Sequence, residues 1–159
     1  MTPQQLTKRI RTWVIVFIIG LALSGITAFP IETELAFAVN HSSIFPDFLN
    51  SWINTVYTAI HLTNQKYPYL SYGTDWLAFG HLVIAMAFVG PLKDPVRNIW
   101  VIQFGMIACV MVLPLAFIAG PIRGIPFYWQ LVDCSFGVFG ILPLFICYRD
   151  IRKLEKLSD

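Results

Sequence analysis

Four long apolar runs, each close to the length a helix needs to cross a bilayer, leave this chain little choice of fold. They are Thr12–Phe29, Thr74–Leu92, Pro95–Gly120 and Pro126–Tyr148. A hydrocarbon core about 30 Å thick takes roughly 20 helical residues, so the first two runs are near the short limit. Composition agrees: the 159 residues are 57% hydrophobic and 13% charged, against about 25% charged residues in soluble domains. So few charges cannot cover a water-exposed surface of this size. The expected fold is all-α, a polytopic membrane protein with a four-transmembrane-helix bundle forming one integral membrane domain over residues 1–159.

The breaks between runs carry helix punctuation. Thr74 and Asp75 suit the start of the second helix, Asp94-Pro95 that of the third, and Gly90-Pro91 and Gly120-Pro121 read as ends. Pro114 and Pro143 fall inside runs, where membrane helices tolerate proline as a kink. A secretory signal peptide is the competing reading of the first run, but the apolar stretch continues beyond its one small-residue site at Ala22-Leu23-Ser24.

The basic residues report orientation. Lys8, Arg9 and Arg11 precede the first run, Lys93 and Arg97 occupy the second connection, and Arg149, Arg152, Lys153 and Lys156 follow the fourth, which is nine of the 11 Lys and Arg. Only Lys66 and Arg123 fall on the other side. By the positive-inside rule both termini are expected in the cytoplasm, with a bacterial inner membrane as the expected location. The net charge of +2 is spread over helix ends with no single basic patch, so no nucleic-acid partner is expected. Cys109, Cys134 and Cys147 lie in apolar runs without a C-x-x-C pair and read as packing residues, not as a disulfide framework or zinc site.

The connection Pro30–Gly73 is the one long stretch outside the runs. Phe48, Leu49, Trp52, Ile53, Val56, Tyr57 and Ile60 recur in it at helical spacing, with Asp47, Asn50, Asn54, Thr58 and His61 opposite. An amphipathic helix is expected over about Pro46–Leu62, acting as an outer lid. Glu32 and Glu34, just after Pro30, read as solvated loop residues with a lesser site role.

A charged side chain at the bilayer centre costs about 2.5–3.5 kcal/mol, so embedded titratable groups need a reason. Two stand out, His81 in the second run and Asp133 in the fourth, each seven residues from its helix's outer end and so about 10 Å deep. His81 shares a helical stripe with Thr74, Ala78 and Ala85, and Asp133 shares one with Gln130, Gly137 and Gly140. Small residues let membrane helices approach closely, so both stripes should face inward. Gly20, Ser24 and Thr27 on the first helix would complete a polar pocket. His81 and Asp133 are the candidate catalytic residues, and Arg123, Gln130, Asp75, His61 and Glu32 the candidate ligand-binding ones. The alternative for the embedded pair is a hydrogen bond that fixes helix packing.

No P-loop, H-E-x-x-H, G-x-S-x-G or C-x-x-C-H motif occurs. The expected function is a polar intramembrane site binding or acting on a lipid-like small molecule: a lipid headgroup, an isoprenoid or a quinone. The alternative is a non-catalytic accessory or structural subunit. The bilayer is the certain partner under this reading, a homo-oligomer or complex subunit a further one, and the residues name no cofactor or metal.

Overall fold

The computed structural model describes residues 1–157, so the end of the expected domain at Ser158 and Asp159 lies outside the described residues. The fold is all-α, with no strand among them. The helices are α1 (Pro3–Ala28), α2 (Ile31–Asn40), α3 (Asp47–Lys66), α4 (Tyr72–Ala87), α5 (Val89–Lys93), α6 (Ile99–Ile122) and α7 (Phe127–Glu155), with short 3-10 helices at Ser42–Ile44 and Pro68–Ser71. Four helical stretches, Pro3–Ala28, Pro68–Lys93, Ile99–Ile122 and Phe127–Glu155, are long and apolar enough to cross a membrane. The chain is an integral membrane protein.

Several boundaries differ from those the sequence suggests. α1 begins at Pro3, well before Thr12, because Gln4, Gln5, Lys8 and Arg9 are good helix formers and need no apolar run to propagate. Gly90-Pro91 does not end the second span. The helix breaks one turn earlier at Phe88, whose amide donates to Ala85 O at 3.2 Å, and resumes as α5. α6 starts at Ile99 and not Pro95, since residues 95–98 form turns in which Asp94 accepts the Arg97 amide at 3.0 Å. α7 runs on past Tyr148 to Glu155, carrying the basic end with it.

The chain divides into two compact units, Met1–Gly20 with Ala85–Asp159, and Leu21–Ile84. In the first unit α6 and α7 form a tight antiparallel pair joined by a turn whose Gly124 has φ +68°, the left-handed conformation that glycine adopts freely. Glycines bring the two helices together: a Cβ at Gly137 would strike the Cys109 carbonyl, and one at Gly120 would lie 2.8 Å from the Gln130 side chain. The start of α1 joins this pair through buried Leu6, Ile10 and Val14. Phe17 packs against Phe88 with ring centroids 4.7 Å apart, and the Cys147 thiol points at Ile10 O at 3.6 Å.

One ion pair ties the start of α1 to the end of α7. Asp150 is fully buried, and Arg9 clasps it with two hydrogen bonds, Nε to Oδ2 at 2.5 Å and Nη2 to Oδ1. A fork-to-carboxylate match of this kind fixes orientation as well as charge. Arg9 is thus more than a topology marker. It neutralises a carboxylate that α7 carries into the packed interior.

In the second unit the end of α1 lies on α4 at Gly25, where a Cβ would come 2.8 Å from Ala78 O and 3.2 Å from the His81 Cβ. The helix face expected to line a pocket, Gly20, Ser24 and Thr27, is exposed instead, because Gly25 sits about a quarter-turn round from Ser24 and alone permits the close approach. α2 packs against α3, and α3 against the Pro68–Ser71 turn. α3 starts at Asp47, as its apolar periodicity implies, but continues past Leu62 to Lys66. Asn50, expected on the solvent side, donates to Ser42 O at 2.8 Å and Phe45 O at 2.9 Å, closing the turn that precedes its helix.

Candidate functional site

The second unit concentrates polar side chains where α2, α3 and the Pro68–Ser71 turn meet. Residues 31–40 form α2, a helix the sequence reading leaves as loop, and Glu32 stands in its first turn, where the helix dipole favours a carboxylate. On α3, Tyr57, His61, Asn64 and Gln65 follow one another at spacings of four, three and four residues from Tyr57 and His61, so they share a face. Helix α3 therefore presents a histidine, two amides and an aromatic ring together.

Glu32 meets this face with both oxygens. Its Oε1 lies 2.7 Å from His61 Nδ1, and its Oε2 accepts from Asn64 Nδ2 at 2.5 Å. The Ser71 hydroxyl donates to Asn64 Oδ1, bringing in the turn before α4. His61 Nε2 faces Gln65 Nε2 at 2.9 Å, and Tyr57 stacks on the imidazole with centroids 5.5 Å apart. With the Gln65 amide donating to Nε2, the ring proton sits on Nδ1 and points at Glu32. Asn64 first, and His61 second, hold the Glu32 carboxyl below its ordinary pKa of 4.5, outweighing its partial burial.

This arrangement has a chemical use. A carboxylate that holds Nδ1–H fixes the imidazole's tautomer and direction, leaving Nε2 to take a proton from a reacting group. The His61 side chain is 40% exposed and that of Glu32 34%, and the Gln65 amide at Nε2 is itself exposed. The same bonds also tie α2, α3 and the turn before α4 into one polar clamp.

The sign of the pH effect follows from the depressed Glu32 pKa. The clamp's contribution is complete above the ordinary carboxylate range and is lost as pH falls below about 4.5 through the lowered value. Glu32→Gln should therefore lower the thermal midpoint at pH 7, and the gap to the parent protein should close toward pH 3. A gap that is constant across this range would mean that the Glu32 charge is not what holds the clamp.

The other expected site residues fall as follows. Asp75 occupies the first turn of α4, beside Tyr72, Trp76 and Phe79. His81 lies midway along α4, half-buried, with its Nδ1 bonded to Leu77 O at 2.8 Å, one turn back. Asp133 is half-buried on α7 in the first unit. Gln130, also on α7, is 4% exposed and spends its amide on Ile125 O at 2.8 Å, which closes the α6–α7 turn. Arg123 caps α6 and is exposed, with no acidic partner among the described residues.

The structure thus brings together Glu32 and His61, two residues the sequence assigns only to the rim of a site, and adds Asn64, Gln65 and Ser71, which it overlooks. A usable signal existed for α2, because Pro30 followed by acids at 32 and 34 is a helix-start pattern. Comparison with protein-family models, with curated proteins and with solved structures finds no match to this chain.

Proposed function

We propose that this integral membrane protein binds or acts on a lipid-like small molecule, a lipid headgroup, an isoprenoid or a quinone, at the polar face of Leu21–Ile84, with His61 as the proton-transfer group and Glu32 as the carboxylate that orients it. The observation that supports it is the Glu32–His61 contact of 2.7 Å on a ring that solvent can reach. The excess of basic residues at one set of span ends supports a proposed orientation with this face outside a bacterial inner membrane and both termini in the cytoplasm. His81 on α4 and Asp133 on α7 are carried in the same proposal as candidate acid and base groups, each within its own unit. Arg123 in the first unit and Asp75 in the second are further candidate headgroup-binding residues, each taken on its own unit.

A second reading has its own support. Both Glu32 oxygens and both His61 nitrogens are already engaged by protein groups, as they would be in an accessory subunit whose polar residues only hold helices together.

Native mass spectrometry of the purified protein separates the two. Under the first reading the parent protein carries a lipid-like adduct. His61→Gln and Asp133→Asn keep folded yield but lose the adduct, or lose about 100-fold or more of any turnover of it. Loss of fold without a separable loss of adduct in these variants favours the accessory subunit. Reporters at the C-terminal end and near Asn64 should fall on opposite sides of the membrane, and a common side would overturn the orientation.

A further inference from the structure

Four aromatic residues and one carboxylate line a shallow depression at the start of α4. Phe29, just beyond α1, lines it with Tyr72, Asp75, Trp76 and Phe79 of α4, an open depression of about 300 Å3 within the second unit. Residues 72, 76 and 79 follow one another at four and three positions along a helix, so the three rings rise on one face. Tyr72 and Trp76 meet edge to face with centroids 6.0 Å apart and 79° between planes, and Trp76 and Phe79 do the same at 6.0 Å and 87°. Successive rings at right angles give walls facing different directions, unlike a flat apolar stripe.

The Asp75 carboxylate has no hydrogen bond and no ion pair among the described residues, although it is half-buried. Lys66 instead lies over the Tyr67 ring at 5.2 Å. A carboxylate left without a cation, in a depression it shares with aromatic rings, is complementary to a cation with an apolar surface. Aromatic faces attract such cations through the ring quadrupole, and quaternary ammonium groups are the ligands that aromatic cages recognise. A metal ion does not suit the depression, because one carboxylate among hydrocarbon rings offers too few oxygen ligands. The volume stands at the lower end of ligand sites, the scale of a small group and not of a whole lipid.

We propose that Asp75 with Phe29, Tyr72, Trp76 and Phe79 forms a binding site for a quaternary ammonium group, the class that includes the headgroup of a choline phospholipid and small soluble tetraalkylammonium ions. Asp75 supplies the charge and Trp76 the principal face. This site uses none of the Glu32–His61 chemistry and stands whether or not that network transfers protons.

The test uses the full chain purified in a nonionic maltoside detergent. Native mass spectrometry would follow retention of phosphatidylcholine against phosphatidylglycerol, and a tryptophan-fluorescence titration with tetramethylammonium would follow the free ion. Choline lipid should be preferred. Asp75→Asn should weaken binding about tenfold and Trp76→Leu about three- to fivefold, with Asp75→Glu retaining most of it. Thermal midpoints of the variants establish that they are folded. Competition of the soluble ion with the lipid identifies the charged group alone as the ligand. Binding of phosphatidylcholine without tetramethylammonium, still lost in Asp75→Asn, identifies the lipid as the source. Equal retention of both lipids, or binding indifferent to Asp75→Asn and Trp76→Leu in folded protein, overturns the proposal.

Discussion

Arg9→Ala is expected to be the most damaging single substitution in this chain, and more damaging than the loss of its own partner. Removing the arginine strands the Asp150 carboxylate, which has no exposed surface. An uncompensated buried charge costs about 3 kcal/mol or more. Removing Asp150 instead leaves an arginine whose side chain is 35% exposed and whose long stem can swing its head to water or headgroups. Asp150→Ala should therefore cost clearly less, and the double variant should recover most of what Arg9→Ala loses. Thermal midpoints and folded yields of the three variants in one detergent give the cycle. Equal losses for the two single changes would show that the pair is worth only its contact and that burial of Asp150 carries no penalty.

The second large effect is expected at Gly137. A methyl group there meets the Cys109 carbonyl, which belongs to the backbone of α6 and cannot rotate aside. The helices must separate, so Gly137→Ala should destabilise by about 1–3 kcal/mol, and larger residues by more. Two comparisons isolate the cause. At Gly140 the nearest obstacle is the Cys109 Sγ, 2.9 Å away, a side chain that can turn, so the alanine there should be better tolerated. At Gly20 nothing lies within 4 Å; alanine should be neutral or stabilising by up to about 1 kcal/mol, the ordinary helical gain over glycine. If Gly20→Ala and Gly137→Ala behaved alike, close backbone approach would not be what holds α6 and α7 together.

These two sites mark where a sequence can and cannot be read. The membrane spans are legible because lipid imposes one rule on every residue of a 20-residue run, and the small-residue stripe through Gly137 and Gly140 is legible because helical spacing alone puts both on one face. The stripe's partner on α6 follows from antiparallel pairing across a tight turn. Arg9 and Asp150 are separated by 141 positions, and no periodicity links them. A cation before a span and an acid after another carry the same local pattern whether they face water or each other. Asp150 was hidden further by its neighbours Arg149, Arg152 and Lys153, which make the segment look like a uniformly solvated basic end.

The candidate site divides in the same way. His61, Asn64 and Gln65 are a local pattern on one helix, so their shared face could have been read. Their meeting with Glu32 depends on α2 folding back against α3, a tertiary event that single-helix periodicity does not contain. At Gly25 the difficulty is finer. Ser24 and Gly25 are adjacent small residues pointing about 100° apart, and only packing against Ala78 decides which of them faces α4.

The first unit is interrupted in the chain: it opens with residues 1–20 and is completed only from residue 85 onward. During synthesis, Arg9 therefore emerges long before the acid that will hold it. At about 5–20 residues per second, the intervening chain takes roughly ten seconds to follow. Throughout that interval the basic N-terminal end of the first helix stays at the bilayer surface, with Arg9 solvated. Leu21–Ile84, one continuous stretch of chain, can fold meanwhile. The last helix then acts as the latch of the fold, and a ribosome stalled before Asp150 would hold a chain with its inserted middle finished and its beginning still unfastened.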